Sequence, residues 1–289
     1  MIERRLWSIR RASRHSGLVL VLALVMQWSP SAMAEDALVA TMPDGSRIGV
    51  LSLLPDAFHL QDARLLRWGG ASSKPFPDDW RLQEKIIARA GELLAGAGLV
   101  VVDVAADRLD ASGIEWRTGR MRMAGEGIVP VPTGVDSTLR SELDRLVSDH
   151  RLDALVLFVP IDVHVRNTPY LPGGIGIVVS QGLGRSPVNA FMRYAAVAWL
   201  PGAGALADTG RCAPFAALPR EAVTPDQVRS RDAGMLLRIR PLVEAMALDQ
   251  VEQDLRGSGL LGTGSAVSCR DFRGREAWMA EVYARFSSP

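Results

Sequence analysis

The chain has 289 residues, 48% apolar and 22% charged, with 33 lysines and arginines against 32 acids for a net charge of +1. That composition excludes wholesale disorder, and the length admits one large domain or two small ones around a sizeable core. The near-zero balance excludes a protein that binds nucleic acid by neutralising phosphates, so no nucleic-acid partner is expected.

The charges are unevenly placed. Residues 1–34 carry five arginines (Arg4, Arg5, Arg10, Arg11 and Arg14) against Glu3, a net of +4, which leaves −3 for the remainder. An apolar run from Gly17 to Trp28 follows, then Ser29, Pro30 and Ala32-Met33-Ala34 before Glu35. A basic start, a short apolar stretch and an A-x-A site are the three physical parts of a secretory signal peptide. Twelve residues reach only about 18 Å as a helix, short of a hydrocarbon core of about 30 Å, so no membrane span is expected after cleavage. No cysteine stands near the cleavage site, so the chain is not expected to be a lipoprotein. Arg4-Arg5-Leu6-Trp7 resembles a twin-arginine signal, but Glu3 stands where Ser or Thr is usual, and the general secretory route is the primary expectation. The mature chain is therefore expected to be periplasmic or secreted.

Export gives the cysteine count a meaning. Cys212 and Cys269 are the only two cysteines, and an even pair in an oxidising compartment predicts a disulfide. Closing a loop of that size restricts the unfolded chain by about 4 kcal/mol on the entropy model. Lys74 and Lys85 are the only lysines beside 31 arginines. The arginines are scattered, which fits a GC-rich genome better than an anion-binding surface.

In chain order, Leu38–Thr41 and Arg47–Leu54 read as a hairpin around the turn Pro43-Asp44-Gly45-Ser46. Phe58–Trp68 reads as a further strand pair and Gly69–Pro77 as a loop. A helix follows, capped by Asp78 or Asp79, with Leu82, Ile86, Ile87, Ala90, Leu93, Leu94 and Ala97 along one stripe and Gly96 and Gly98 at its stop. Leu99–Val104 is a β-branched run of the kind that is buried on both faces. Residues 105–134 form a polar connection with short strands. Asp136 caps a second helix carrying Leu139, Leu143, Leu146 and Val147, and Ala154–Val159 is a second buried strand.

Beyond Pro160 the pattern turns antiparallel, with strands at Ile175–Ser180 and Ala190–Leu200 and an irregular connection over 201–220. Thr224-Pro225-Asp226-Gln227 combines a cap, a proline in the first turn and a capping-box glutamine. It starts a helix expected to run towards Leu255 with a break at Pro241. A last helix over 275–286 aligns Trp278, Met279, Val282, Tyr283 and Phe286. The order predicts an α/β fold of two or three layers, with parallel central strands, an antiparallel edge pair and a C-terminal helical extension. The division is residues 1–34 as signal peptide, 35–210 as the α/β domain and 211–289 as the extension packed on it.

Chemistry is sparsely signalled. Asp162, His164 and Arg166 alternate, so an extended strand projects all three from one face, at the carboxyl end of a central strand where open α/β sheets place ligands. An acid, an imidazole and a guanidinium together suit proton transfer or orientation of an anionic ligand; the plainer reading is a solvated strand face leaving the core. No G-x-S-x-G elbow is present, and the Gly173-Gly174-Ile175-Gly176 cluster opens a strand where a phosphate loop needs a helix. The aspartates lack the spacing of a calcium loop, and neither a metal nor a cofactor is expected.

The order of elements resembles the small α/β domain of envelope lipoproteins of the curli-secretion family, and the amino-terminal domain of TolB proteins. The segments that carry the resemblance are RIGVLSLL, WRLQEKIIARAGELLAGAGLVVVDV, DALVLFVPI and FMRYAAVAWL, within residues 47–210. It implies an envelope protein partner and a role in assembly or transport. Those lipoproteins begin at a lipidated cysteine, which this chain lacks, so neither the anchor nor any individual functional residue is carried over. The leading expectation is an exported soluble module that works by binding. The alternatives are a hydrolase or transferase at Asp162, His164 and Arg166, and a structural component of an envelope complex that uses the aromatic face of 275–286 or an exposed edge strand.

Overall fold

The computed structural model describes residues 42–63, 72–77, 80–104, 109, 111–124, 127–161, 164–165, 173–180, 187–201, 205–208, 215–257, 260–261 and 272–287. All of them belong to one compact unit, Val39–Pro289. Residues 1–34, where a signal peptide is expected, and Cys212 and Cys269 lie outside the described residues.

The fold is α/β, built on one large sheet. Its strands are β1 (Arg47–Ser52), β2 (Ala57–Ala63), β3 (Ser72–Pro77), β4 (Val100–Val102), β7 (Ala154–Pro160), β9 (Gly174–Ser180), β10 (Val188–Leu200), β11 (Ala205–Asp208) and β12 (Phe215–Ala217). Between β4 and β7 come β5 (Ile114–Ala124) and β6 (Gly127–Val135), which with β8 (His164–Val165) form a separate three-stranded sheet.

Register shows that the nine strands are arranged end to end in columns. The first half of β10 is antiparallel to β9, ending at Arg193↔Gly174, and its second half is antiparallel to β7, starting at Tyr194↔Pro160. A Cβ on Gly173 would stand 2.8 Å from the Pro160 Cβ, so β7 and β9 abut along the same side of β10. β1 is parallel to β7 and β2 is parallel to β9, which makes them a second tandem column. Outside them lie β4, parallel to β1, and β3, antiparallel to β2. On its other side β10 pairs antiparallel with β11 and β12. The parallel set β7-β1-β4 and the antiparallel edge pair β2-β3 thus sit in one sheet. The pair β9–β10 expected at an edge is found as antiparallel strands, with β10 placed inside the sheet.

One face carries α1 (Leu82–Gly96), α3 (Pro225–Ser230), α4 (Ala233–Gly257) and α5 (Phe272–Ser287); α2 (Ser137–His150) covers the other face over β7. The larger core joins alternate residues of the strands, such as Val156, Phe158, Ile177, Met192 and Ala196, to Ile86 and Leu94 of α1 and Ile239, Val243 and Val251 of α4. The smaller one sets Leu155, Leu157, Val197 and Trp199 against Leu139, Leu143 and Leu146 of α2. Asp136 caps α2 by accepting the Leu139 N–H at 2.8 Å, as its sequence predicts. At the other end of α2, Arg47 donates to the carbonyls of Arg151 and His150, which ties the start of β1 to the turn before β7.

Several local expectations change. Leu38–Thr41, the other arm of the expected hairpin, lies outside the described residues, and over Ile48–Gly49 both sides of β1 are taken by β4 and β7. Residues 72–77, expected as loop, form β3, and its prolines Pro75 and Pro77 suit a rim where backbone donors are dispensable. β4 is a short rim strand with Val100 44% exposed, not a strand buried on both faces. The 105–134 connection holds a long hairpin, β5–β6, instead of short strands.

α1 begins at Leu82 behind Arg81, a left-handed residue with φ 55° and no side-chain cap. Asp78 and Asp79, the expected caps, lie outside the described residues; ahead of Arg81 the buried Trp80 ring lies 4.9 Å from that of Phe58. The Thr224–Gln227 capping box forms, but that helix stops at Arg231, and α4 then runs through Pro241. The left-handed Arg231 closes α3 through N–H bonds to the Gln227 and Val228 carbonyls, so the break falls ahead of the proline. In α5, Met279 and Val282 are buried in the larger core with Trp278 and Tyr283 packed against it, while Phe286 is exposed.

Candidate functional site

The alternation of β2, β9 and β10 creates the chemically richest surface among the described residues. Phe58 and Leu60, Ile175 and Ile177, and Ala190 and Met192 point to the helical face and join the larger core. Their sequence neighbours must project to the opposite face, and these include His59, Gln61, Asn189, Phe191 and Arg193. Register brings them into rows: Gln61↔Val178↔Asn189, then His59↔Gly176↔Phe191, then Gly174↔Arg193. Gln61, Asn189 and Arg193 are 1%, 2% and 2% exposed, and His59 is half-buried. The Arg193 guanidinium carbon stands 5.8 Å from the centroid of the Phe191 ring, a cation–π contact that orients the group.

Burying a guanidinium, two amides and an imidazole is costly unless each is hydrogen-bonded. All four residues have interaction partners. Burial lowers the His59 pKa from its ordinary 6.5, favouring the neutral ring with one donor and one acceptor. The row therefore offers a fixed positive fork, two amides that both give and accept, and a neutral imidazole, which together orient a polar group.

Arg193 also links this row to the segment expected to carry chemistry. The Ile161 N–H donates to the Arg193 carbonyl at 3.0 Å, and Asp162 is the next residue. Asp162 and Arg166 lie outside the described residues. The His164 backbone opens β8, opposite Ile128 of β6. Sequence reasoning missed all four residues of the row, His59, Gln61, Asn189 and Arg193. The available signal was the alternation of polar and apolar residues in Phe58–Gln61 and Val188–Arg193; the strand pairing that unites them is not written in either segment.

A second polar group pins α4 to the sheet. The buried Tyr194 hydroxyl donates to the Ala247 carbonyl at 2.6 Å, and Gln250 donates to the buried Asp254 carboxylate at 2.7 Å. Burial, then the charges of Asp254 and Asp249, hold the Tyr194 pKa well above its ordinary 10. Between α1 and α4, Lys85 pairs with Glu244, and Arg89 with Glu252 at 2.8 Å. Burial raises the Glu252 pKa, but hydrogen bonds from Arg256 and Arg89 outweigh it and leave the carboxyl below its ordinary value. These groups hold a helix in place and face no site.

Among the described residues no three His, Cys, Asp or Glu side chains gather to hold a metal ion, and no helix is long and apolar enough to cross a membrane. No family model matches the chain, and no curated protein matches it. Among solved structures it is similar to the hypothetical protein CT253 from Chlamydia trachomatis, at 8% identity with a TM-score of 0.35, over 76% of this chain and 99% of that one. A likeness at that level carries no argument about either fold or function.

Proposed function

We propose that this chain is an exported, soluble periplasmic or secreted module that acts by binding, as an accessory to envelope assembly or transport. The observation that carries the binding reading is the row of half-buried His59 and buried Gln61, Asn189 and Arg193 on a sheet whose other face, among the described residues, is mainly apolar. Stability alone favours apolar residues there, and well-packed apolar groups of similar volume commonly equal or exceed buried ionic ones. Export rests on the basic, apolar and A-x-A parts of residues 1–34. The resemblance to envelope proteins of the curli-secretion and TolB type supports an envelope partner.

The test expresses the full chain in a bacterium with an outer membrane. Periplasmic recovery with a mature start at Glu35 is the expected result, and an uncleaved cytoplasmic chain overturns export. Affinity capture from envelope fractions then compares the wild type with Asn189→Leu and Arg193→Met, each checked for native circular dichroism. A neighbour held by the wild type and lost from both variants supports binding through this row; equal retention by all three refutes it.

A hydrolase or transferase using Asp162, His164 and Arg166 is the second reading, and the Ile161–Arg193 hydrogen bond favours it by starting that segment beside the polar row. Its test is turnover of generic ester and phosphoester substrates that is lost in His164→Ala. A structural role through the 275–286 face is weakened by the burial of Met279 and Val282 in the core.

A further inference from the structure

We draw no further inference here: the strongest candidate, the buried polar row His59–Gln61–Asn189–Arg193 on the sheet face away from α1 and α4, belongs to the site already described, and nothing in the structure shows what covers it.

Discussion

His59 and Gly176 face each other across β2 and β9 so closely that a Cβ on the glycine would stand 2.4 Å from the His59 carbonyl oxygen and 2.6 Å from the tip of the Phe191 ring. No side chain fits that gap, and the absence of one leaves room for the Phe191 ring over Gly176, in the row that Arg193 caps. Gly176→Ala is expected to destabilise the chain by about 1–3 kcal/mol through overpacking. Gly96→Ala, where a Cβ meets nothing within 4 Å, is expected to be neutral or stabilising by up to about 1 kcal/mol. Urea denaturation of the two variants side by side checks both; equal midpoints would refute the packing argument.

Tyr194→Phe removes one hydrogen bond to the Ala247 carbonyl, which keeps its place in the α4 ladder, and is expected to cost about 0.5–1.5 kcal/mol. The same hydroxyl gives an alkaline signature. Its folded pKa is raised above the unfolded value near 10, so the unfolded chain releases the proton first. The stabilisation is complete below pH 10 and is lost as pH rises towards the folded value. Melting temperatures measured from pH 8 to 11 should fall more steeply for the wild type than for Tyr194→Phe, and parallel curves would count against this placement.

His59 acts in the opposite direction along the pH axis. Its folded pKa lies below 6.5, so beneath that pH the unfolded chain takes up a proton that the folded one refuses. Stability declines as pH drops from 6.5 to the folded value, by no more than about 1.4 kcal/mol per pH unit for one proton. His59→Asn is expected to flatten that decline in a pH 5–8 series of denaturation curves. A slope unchanged by the substitution would mean that His59 stays exposed to water.

Glu252 supplies an acid limb of smaller size. Its side chain is 32% exposed, so the bonds from Arg89 and Arg256 are worth less than buried ones. Their contribution is present above the ordinary glutamate pKa of 4.5 and disappears as pH falls through the lowered folded value. Glu252→Gln should lower stability at pH 7 by under about 1 kcal/mol, and the difference from the wild type should narrow as pH falls below 4.5.

β12 and α5 pack together, and each begins three residues after a cysteine, Cys212 and Cys269. The exported chain is expected to contain one disulfide, so its intact mass should rise by two hydrogens on reduction. Two free thiols in the freshly isolated mature protein would refute it.

The parts of the fold that were legible in the sequence are those whose partners lie within a few residues. The Asp136 cap, the Leu139–Val147 stripe, the Thr224 capping box and the apolar run Ala154–Val159 all declare themselves locally, and each is found. Features decided by distant contacts were not legible. Leu99–Val104 has the composition of a central strand, but its rim position follows from which neighbour β1 chooses, and the left-handed Arg81 ahead of α1 has no signature in its own sequence. The polar row failed to show for the same reason, since residues 59–61 and 189–193 become one surface only through β9.

The abutment of Pro160 and Gly173 has a consequence for how the chain tolerates change. Ile161 and Gly173 lie at one point of the sheet, so the excursion between them starts and ends there, with β7 and β9 each holding its own ladder to β10. Exchanging most of that excursion breaks none of those backbone bonds, and tolerance of insertion follows from the bonds affected, not from position in the chain. His164 and Val165 are held instead by β6, so substitutions between Pro160 and Gly173 that spare that pairing are expected to leave the ladders of β7 and β9 intact.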